Sequence, residues 1–226
     1  MAAGVSVALS VVVPTLDEAA GIERCLAALA PLRARGHEVI VADGGSADGT
    51  ARLAAPLADR VIQAPRGRAA QMNAGAAAAS GDALLFLHAD TFLPPDADRM
   101  VLEALAAHAW GRFDVTIDSD DPRLAVIAWF MNRRSRLTGI ATGDQAIFVR
   151  RADFPGFAPI ALMEDVAFSR AMKRVSPPAC LAARVRTSAR RWEERGIERT
   201  VLLMWRLRFA YWRGADPDEL ARRYAD

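Results

Sequence analysis

Two carboxylates stand where apolar runs stop. Glu38-Val39-Ile40-Val41-Ala42-Asp43 and Leu84-Leu85-Phe86-Leu87-His88-Ala89-Asp90 both read as buried strands that end in an acid. In an open α/β sheet, ligands collect at the carboxyl ends of parallel strands, so Asp43 and Asp90 are expected to face one crevice. Asp90 is a hard oxygen ligand suited to Mg²⁺ or Mn²⁺, ions that hold a diphosphate with one or two carboxylates and several waters. His88 is either a second ligand, which would favour Mn²⁺, or a hydrogen-bonded histidine at a strand end. Asp43, at the other strand end, could accept hydrogen bonds from a base or a ribose.

Two further segments could carry chemistry. Gly44-Gly45-Ser46-Ala47-Asp48-Gly49-Thr50 links a strand to a helix, which lets the backbone turn tightly and offers a helix N-terminus to an anion. It has neither the G-x-G-x-x-G of a dinucleotide fold nor the G-K-[ST] of a P-loop. Glu164-Asp165 opens a helix after an irregular stretch, Phe154 to Pro159. The pair can stabilise that helix end electrostatically or supply a general base; spacing alone leaves both open. Arg133, Arg134 and Arg136, with Asp144 and Gln145, are either acceptor-side contacts or a solvated helix end with a strand cap. Arginine pairs phosphate bidentately, so a lipid-phosphate acceptor is one form of the first reading.

The elements that must position these residues alternate. Strands are predicted at 8–13, stopped by Pro14, and at 38–43, 61–62, 83–88, 111–117 and 145–149. Helices are predicted from Asp17-Glu18 to Leu29, ended by Pro31 and Gly36, and at 51–58, 68–79, 97–108, 124–131 and 164–174. The last segment, Glu193 to Arg213, reads as one long helix rich in tryptophan. Short strand–helix connections predict a mostly parallel central sheet flanked by helices, with a C-terminal helical tail. The expected organisation is one α/β domain over 1–192 and an amphipathic tail over 193–226. Within the domain, 1–90 is the nucleotide-binding half and 91–192 the acceptor half.

Composition narrows the partners. With 52% hydrophobic and 25% charged residues the chain is an ordinary globular sequence, and a net charge of +2 gives no reason to expect nucleic acid. From Arg170 to Arg213, twelve basic residues meet only Glu193, Glu194 and Glu198. That excess reflects either coding bias or a cationic surface for anionic lipid or a diphosphate-bearing acceptor. Val201-Leu202-Leu203-Met204-Trp205, Phe209, Tyr211 and Trp212 are interrupted by Arg206, Arg208 and Arg213, which excludes an ordinary span. An interfacial helix through 195–213 competes with a helix packed on the domain or at a dimer contact. Cys25 and Cys180 form no metal or redox pattern, and no basic leader precedes Val5. A cytoplasmic protein is expected, with the inner face of the membrane as its one possible attachment.

The motifs taken together carry a resemblance. Val11-Val12-Val13-Pro14-Thr15-Leu16-Asp17-Glu18, Asp43 to Thr50, His88-Ala89-Asp90 and Glu164-Asp165 occur in the order found in the family 2 glycosyltransferases of GT-A fold. Arg66 to Asn73 and Thr142-Gly143-Asp144-Gln145 resemble a bacterial subgroup of small single-domain members. The resemblance covers roughly residues 8 to 175. It implies inverting transfer from a nucleotide-diphosphate sugar, UDP-linked by family frequency, to a hydroxyl acceptor that no residue identifies. By the same analogy Pro14, Thr15, Glu18 and Asp43 hold the nucleoside, Ala89 lies against the donor, and Arg68 sits near the phosphates. Asp90 is the last acid of the D-x-D metal motif, and Asp165, beside Glu164, is the base. His88 replaces the first acid of D-x-D, so the ion could be Mn²⁺ or Mg²⁺. Two other readings remain. A sugar-phosphate nucleotidyltransferase should show a glycine-rich loop where Pro14 to Glu18 stand, and a non-catalytic nucleotide-binding or membrane-associated scaffold has no use for Glu164-Asp165.

Overall fold

The computed structural model describes residues 8–225. Its first half is β1 (Leu9–Thr15), α1 (Ile22–Ala28), α2 (Ala30–Ala34), β2 (Glu38–Asp43), α3 (Thr50–Ala54), β3 (Arg60–Gln63), α4 (Arg68–Ala78) and β4 (Ala83–Phe86). The second half is β5 (Thr91–Phe92), α5 (Ala97–Ala107), β6 (Trp110–Asp118), α6 (Pro122–Thr138), β7 (Phe148–Arg150), α7 (Glu164–Met172) and β8 (Ala179–Ser188). The tail is α8 (Arg190–Arg195), α9 (Ile197–Trp212) and α10 (Pro217–Ala225).

One eight-stranded sheet runs in the order β3-β2-β1-β4-β7-β6-β8-β5. Strands β1, β2, β3 and β4 are parallel neighbours, and β6 is parallel to β8. Only β7 and β5 run against the rest. Both faces are covered, which is why the strands read as unbroken apolar runs. Val11 and Val13 of β1, Val39 and Val41 of β2 and Leu85 of β4 face α1 and α5. Val12, Ile40, Leu84 and Phe86 face α4 and α7 through Met72, Ala76, Phe168 and Met172.

Several expectations change. Strand β1 passes through Pro14 to Thr15. Val12 accepts from Leu87 N on the β4 side, and Pro14 shares that parity, but β4 has ended by then, so the missing N–H breaks no ladder bond. The first helix is two: Pro31 occupies the first turn of α2 and starts it rather than ending α1. Residues 143–145 form a 3₁₀ turn, and β7 begins only at Phe148. Strands β5 and β8 were not expected; β8 pairs along β6, with an irregularity at Phe113/Asp114. The tail also breaks at Gly196, where φ is 81°, so α8 and α9 are separate helices. The expected 192/193 boundary falls inside α8. Ala189 and Trp192 pack with Ile117 and Leu124, and Leu207 and Leu220 pack with Met163 and Val166, so the tail lies on the domain. Among the described residues no helix is long and apolar enough to cross a membrane.

An ion-pair cluster ties α2 to α5. Arg35 donates two hydrogen bonds to Asp98, at 2.6 and 2.9 Å, and His37 Nε2 lies 2.9 Å from the same carboxylate. Burial pushes the Asp98 carboxyl up, but Arg35 and His37 outweigh it and hold the group at about 2. A depressed carboxylate stabilises the fold above its unfolded pKa, and that stability drains as pH falls through the folded value. Allowing for screening at the exposed Arg35 end, Asp98→Asn should cost about 1–2 kcal/mol at neutral pH. Urea denaturation at pH 7, 5 and 3 should show the gap between variant and native protein narrowing as pH drops.

Candidate active site

The carboxyl ends of β1, β2 and β4 open on one side, and the site is built from the loops that leave them. The loop after β1 and the loop after β2 are stitched together. Asp17 N donates to Ser46 Oγ, Ala47 N donates to Asp17 Oδ1, Glu18 N donates to Thr50 Oγ1 and Ala19 N donates to Asp48 Oδ2, all between 2.8 and 2.9 Å. Asp43 is the knot. It is buried, and it accepts from Thr15 Oγ1 (3.3 Å), Gly45 N (3.0 Å), Ser46 N (2.9 Å) and Ser46 Oγ (2.5 Å). Four donors fill a carboxylate's acceptor sites, so a base could bond Asp43 only if one of the two hydroxyls, that of Thr15 or Ser46, swings away. Pro14 and Thr15 lie in the same strand end, with Thr15 O accepting from Gln71 Nε2. Ala89 has its methyl in the core, which leaves only its backbone for any ligand.

Beyond β4 the charged groups gather. Glu18, half-buried, feels Asp90 and His88, and its carboxylate lies 3.5 Å from Arg190. Burial raises the Glu18 carboxyl from its ordinary value, Arg190 opposes that, and Asp90 adds to it. Asp90 has a weak local partner in Thr91 Oγ1 at 3.3 Å. His88 Nδ1 sits 3.4 Å from Asp144 Oδ1, while its Nε2 is buried without a partner among the described residues. That edge of the ring lies against Gly143; a Cβ there would be 2.6 Å from Nε2, so only glycine fits. Burial pushes Asp144 up, but His88, Arg68 and Arg191 outweigh it and hold the carboxyl at about 2.

The acid pair opens α7 behind Met163, a left-handed residue with φ of 70°. Asp165 Oδ2 accepts from Gly143 N at 3.0 Å and Oδ1 from Val166 N at 2.7 Å. Glu164 is buried, 3.5 Å from Arg68 Nη1. Burial and the Asp165 charge push the Glu164 carboxyl up, and Arg68 opposes them. Arg68, Phe86, His88, Gly143, Glu164 and Asp165 line one narrow crevice. The structure therefore brings Arg68, His88, Glu164 and Asp165 together, with Glu18 and Asp90 coupled to them through charge.

Other residues sort differently. Arg136 donates to Asp114 at 2.7 Å and to Cys180 O at 3.0 Å, and Gln145 is buried in the cap of its own turn. Both hold the fold. Arg190 and Arg191 were not among the expected site residues, yet α8 carries them over the site. Burial pulls Arg191 down from its ordinary value, and Asp144 and Asp90 oppose it. Their signal in the sequence is two arginines before Trp192, within the basic stretch from Arg170 to Arg213.

A profile of glycosyl transferase family 2 matches residues 10–157. The chain belongs to glycosyl transferase family 2. Among curated proteins none matches it. Solved structures share its GT-A fold. Glucosyl-3-phosphoglycerate synthase from Mycobacterium tuberculosis, in complex with Mn²⁺, UDP and phosphoglyceric acid, is 21% identical with a TM-score of 0.59, and the match covers 78% of this chain and 68% of that one. TarS 1–349 of S. aureus in complex with UDP-GlcNAc is 18% identical with a TM-score of 0.60, covering 80% of this chain and 58% of that one. A further mycobacterial protein is 21% identical with a TM-score of 0.58, and this chain spans 65% of it. The chain thus spans about three fifths to two thirds of the length of these neighbours.

Among its described residues, no three His, Cys, Asp or Glu side chains converge on one metal position. Mg²⁺ and Mn²⁺ bind a diphosphate through one or two carboxylates, and Asp90, half-buried at the end of the loop after β4, is the carboxylate that could supply one.

Proposed function

We propose that this family 2 chain transfers a sugar from a nucleoside-diphosphate donor, UDP-linked, to an acceptor hydroxyl with inversion at C1. The observation that supports this most directly is the Asp165 carboxylate. It lies in one crevice with Arg68 and is fixed by two backbone N–H groups. Asp165 takes the proton of the acceptor hydroxyl as that oxygen bonds to C1, while the bond from C1 to the diphosphate oxygen breaks on the opposite face. Glu164, raised and paired with Arg68, holds Arg68 in place rather than serving as a second base. Arg68 and Arg191 stand where a diphosphate can be neutralised. Asp90 would hold Mn²⁺ or Mg²⁺, and such an ion would supply Lewis-acid stabilisation of the departing diphosphate. His88 orients Asp144, since Gly143 closes its free ring edge. The solved neighbours bound to UDP with Mn²⁺, and to UDP-GlcNAc, support the donor class.

Calorimetric titration of UDP and GDP, with Mn²⁺, with Mg²⁺ and with chelator, tests the reading. Metal-dependent UDP binding and slow release of UDP from a UDP-sugar are expected. Nucleotide binding with no turnover of any UDP-sugar would favour the scaffold instead.

A further inference from the structure

Between α6, α7 and α9 lies a second cavity, of about 140 Å³, lined by Arg134, Arg170, Arg208, Tyr211, Met163 and Val166 among others. Pockets that hold whole drug-sized ligands span roughly 300–1,000 Å³, so this one suits a single small group. Its lining carries three guanidinium groups and no carboxylate. Arg134 Nε and Nη2 and Arg208 Nε are buried without a hydrogen-bond partner among the described residues. Arg170 is stacked over Tyr211, its Cζ 5.3 Å from the ring centroid. Leaving charged donors buried and unpaired is costly, and bringing two such groups together is costlier. Burial, then the Arg208 charge, pull the Arg134 guanidinium down to about 10, with Asp165 opposing. Arg134 is still charged at neutral pH, and it senses the acid at the catalytic crevice.

We propose that the Arg134–Arg170–Arg208 cavity is an oxyanion subsite that anchors a phosphate group on the acceptor. This rests on the glycosyl-transfer reading. The cavity and the crevice share the first turn of α7: Met163 and Val166 line one, Glu164 and Asp165 the other. An acceptor phosphate held by the forked donors of Arg134 and Arg208 places the remainder of the acceptor beside Asp165. The phosphate can be borne by a lipid or by a soluble ester. Exposed apolar side chains flank the cavity on both outer helices, Phe130 and Leu137 on α6 and Trp205 and Trp212 on α9, each within one helical face of the lining arginine.

The test uses the full chain saturated with UDP and Mg²⁺, so that the donor site is filled. Inorganic phosphate, then glycerol phosphate, is titrated into native protein, Arg134→Met/Arg208→Met and Arg134→Lys/Arg208→Lys. Phosphate should bind native protein, raise its melting temperature, and bind the methionine variant at least about tenfold more weakly, with the lysine variant between them. UDP binding should be unchanged in both variants. The methionine variant should melt no lower than native protein in phosphate-free buffer, because an unpaired buried charge has been removed. Sedimentation with phosphatidic acid vesicles separates the sources. Arginine-dependent vesicle binding assigns a lipid phosphate, and phosphate binding without it assigns a soluble ester. Equal phosphate affinity or an equal melting shift in native and methionine proteins overturns the subsite. If UDP itself fails to bind native protein, the donor reading falls, while the phosphate comparison without UDP still decides the cavity.

Discussion

Asp165→Asn should lower the release of UDP from a UDP-sugar by about 10²- to 10⁴-fold, the usual contribution of a positioned base. Metal-dependent UDP affinity should be unchanged. The expectation comes from how the side chain is held. Its two oxygens accept from Gly143 N and Val166 N, which aims the carboxylate without neutralising it. Asparagine keeps the shape but cannot take a proton, and its amide must turn one donor towards one of those N–H groups. Some loss of order is therefore expected, and the UDP titration controls for it. Glu164→Gln should behave in the opposite way, because Glu164 lies 3.5 Å from Arg68 and not at a free edge of the crevice. Removing its charge should weaken UDP binding more than it slows the chemical step. If Asp165→Asn lost UDP binding along with turnover, the carboxylate would be a structural pin of the Gly143 turn and not a base.

The parts of this molecule that rest on local periodicity were readable from the sequence. Strands β1, β2 and β4 are apolar on both faces because helices cover both, and their ends pointed to Asp43 and Asp90. The parts that depend on distant partners were not. Strand β8 carries Arg184 and Arg186 outward and Val185 and Thr187 inward, a period of two that arginine's charge disguised. Arg191 sits twenty-six residues beyond Asp165 in no motif, and only the return of α8 over the site brings it to Asp144. Asp43 shows the reverse limit. Its place was expected, but the four donors from its own loop, which make it an organiser of that loop, are a matter of side-chain geometry. The same holds for the arginine triplet on α6: Arg133 is exposed, Arg134 faces a cavity, and Arg136 pairs with Asp114.

Asp90→Ala should remove the metal-dependent part of UDP binding, leaving the variant with the affinity that native protein shows in chelator. Loss of residues that merely support a metal ligand costs about 10–100-fold in affinity or activity, so loss of the ligand should reach at least the upper end. Asp90 is the strongest candidate because it is half-exposed and, among the described residues, has no protein cation bonded to it, its one side-chain partner there being Thr91 at 3.3 Å. Glu18, by contrast, is already shared with Arg190 at 3.5 Å, and Asp144 with His88 at 3.4 Å. His88→Ala supplies the comparison. The free ring nitrogen of His88 faces Gly143, so its loss should cost less than the loss of Asp90, acting through Asp144 and the crevice wall. Titrating UDP into native protein and both variants, with and without Mn²⁺, yields the two coupling terms directly. A metal effect that survives in Asp90→Ala but vanishes in His88→Ala would move the ion to the histidine and require the Gly143 turn to open.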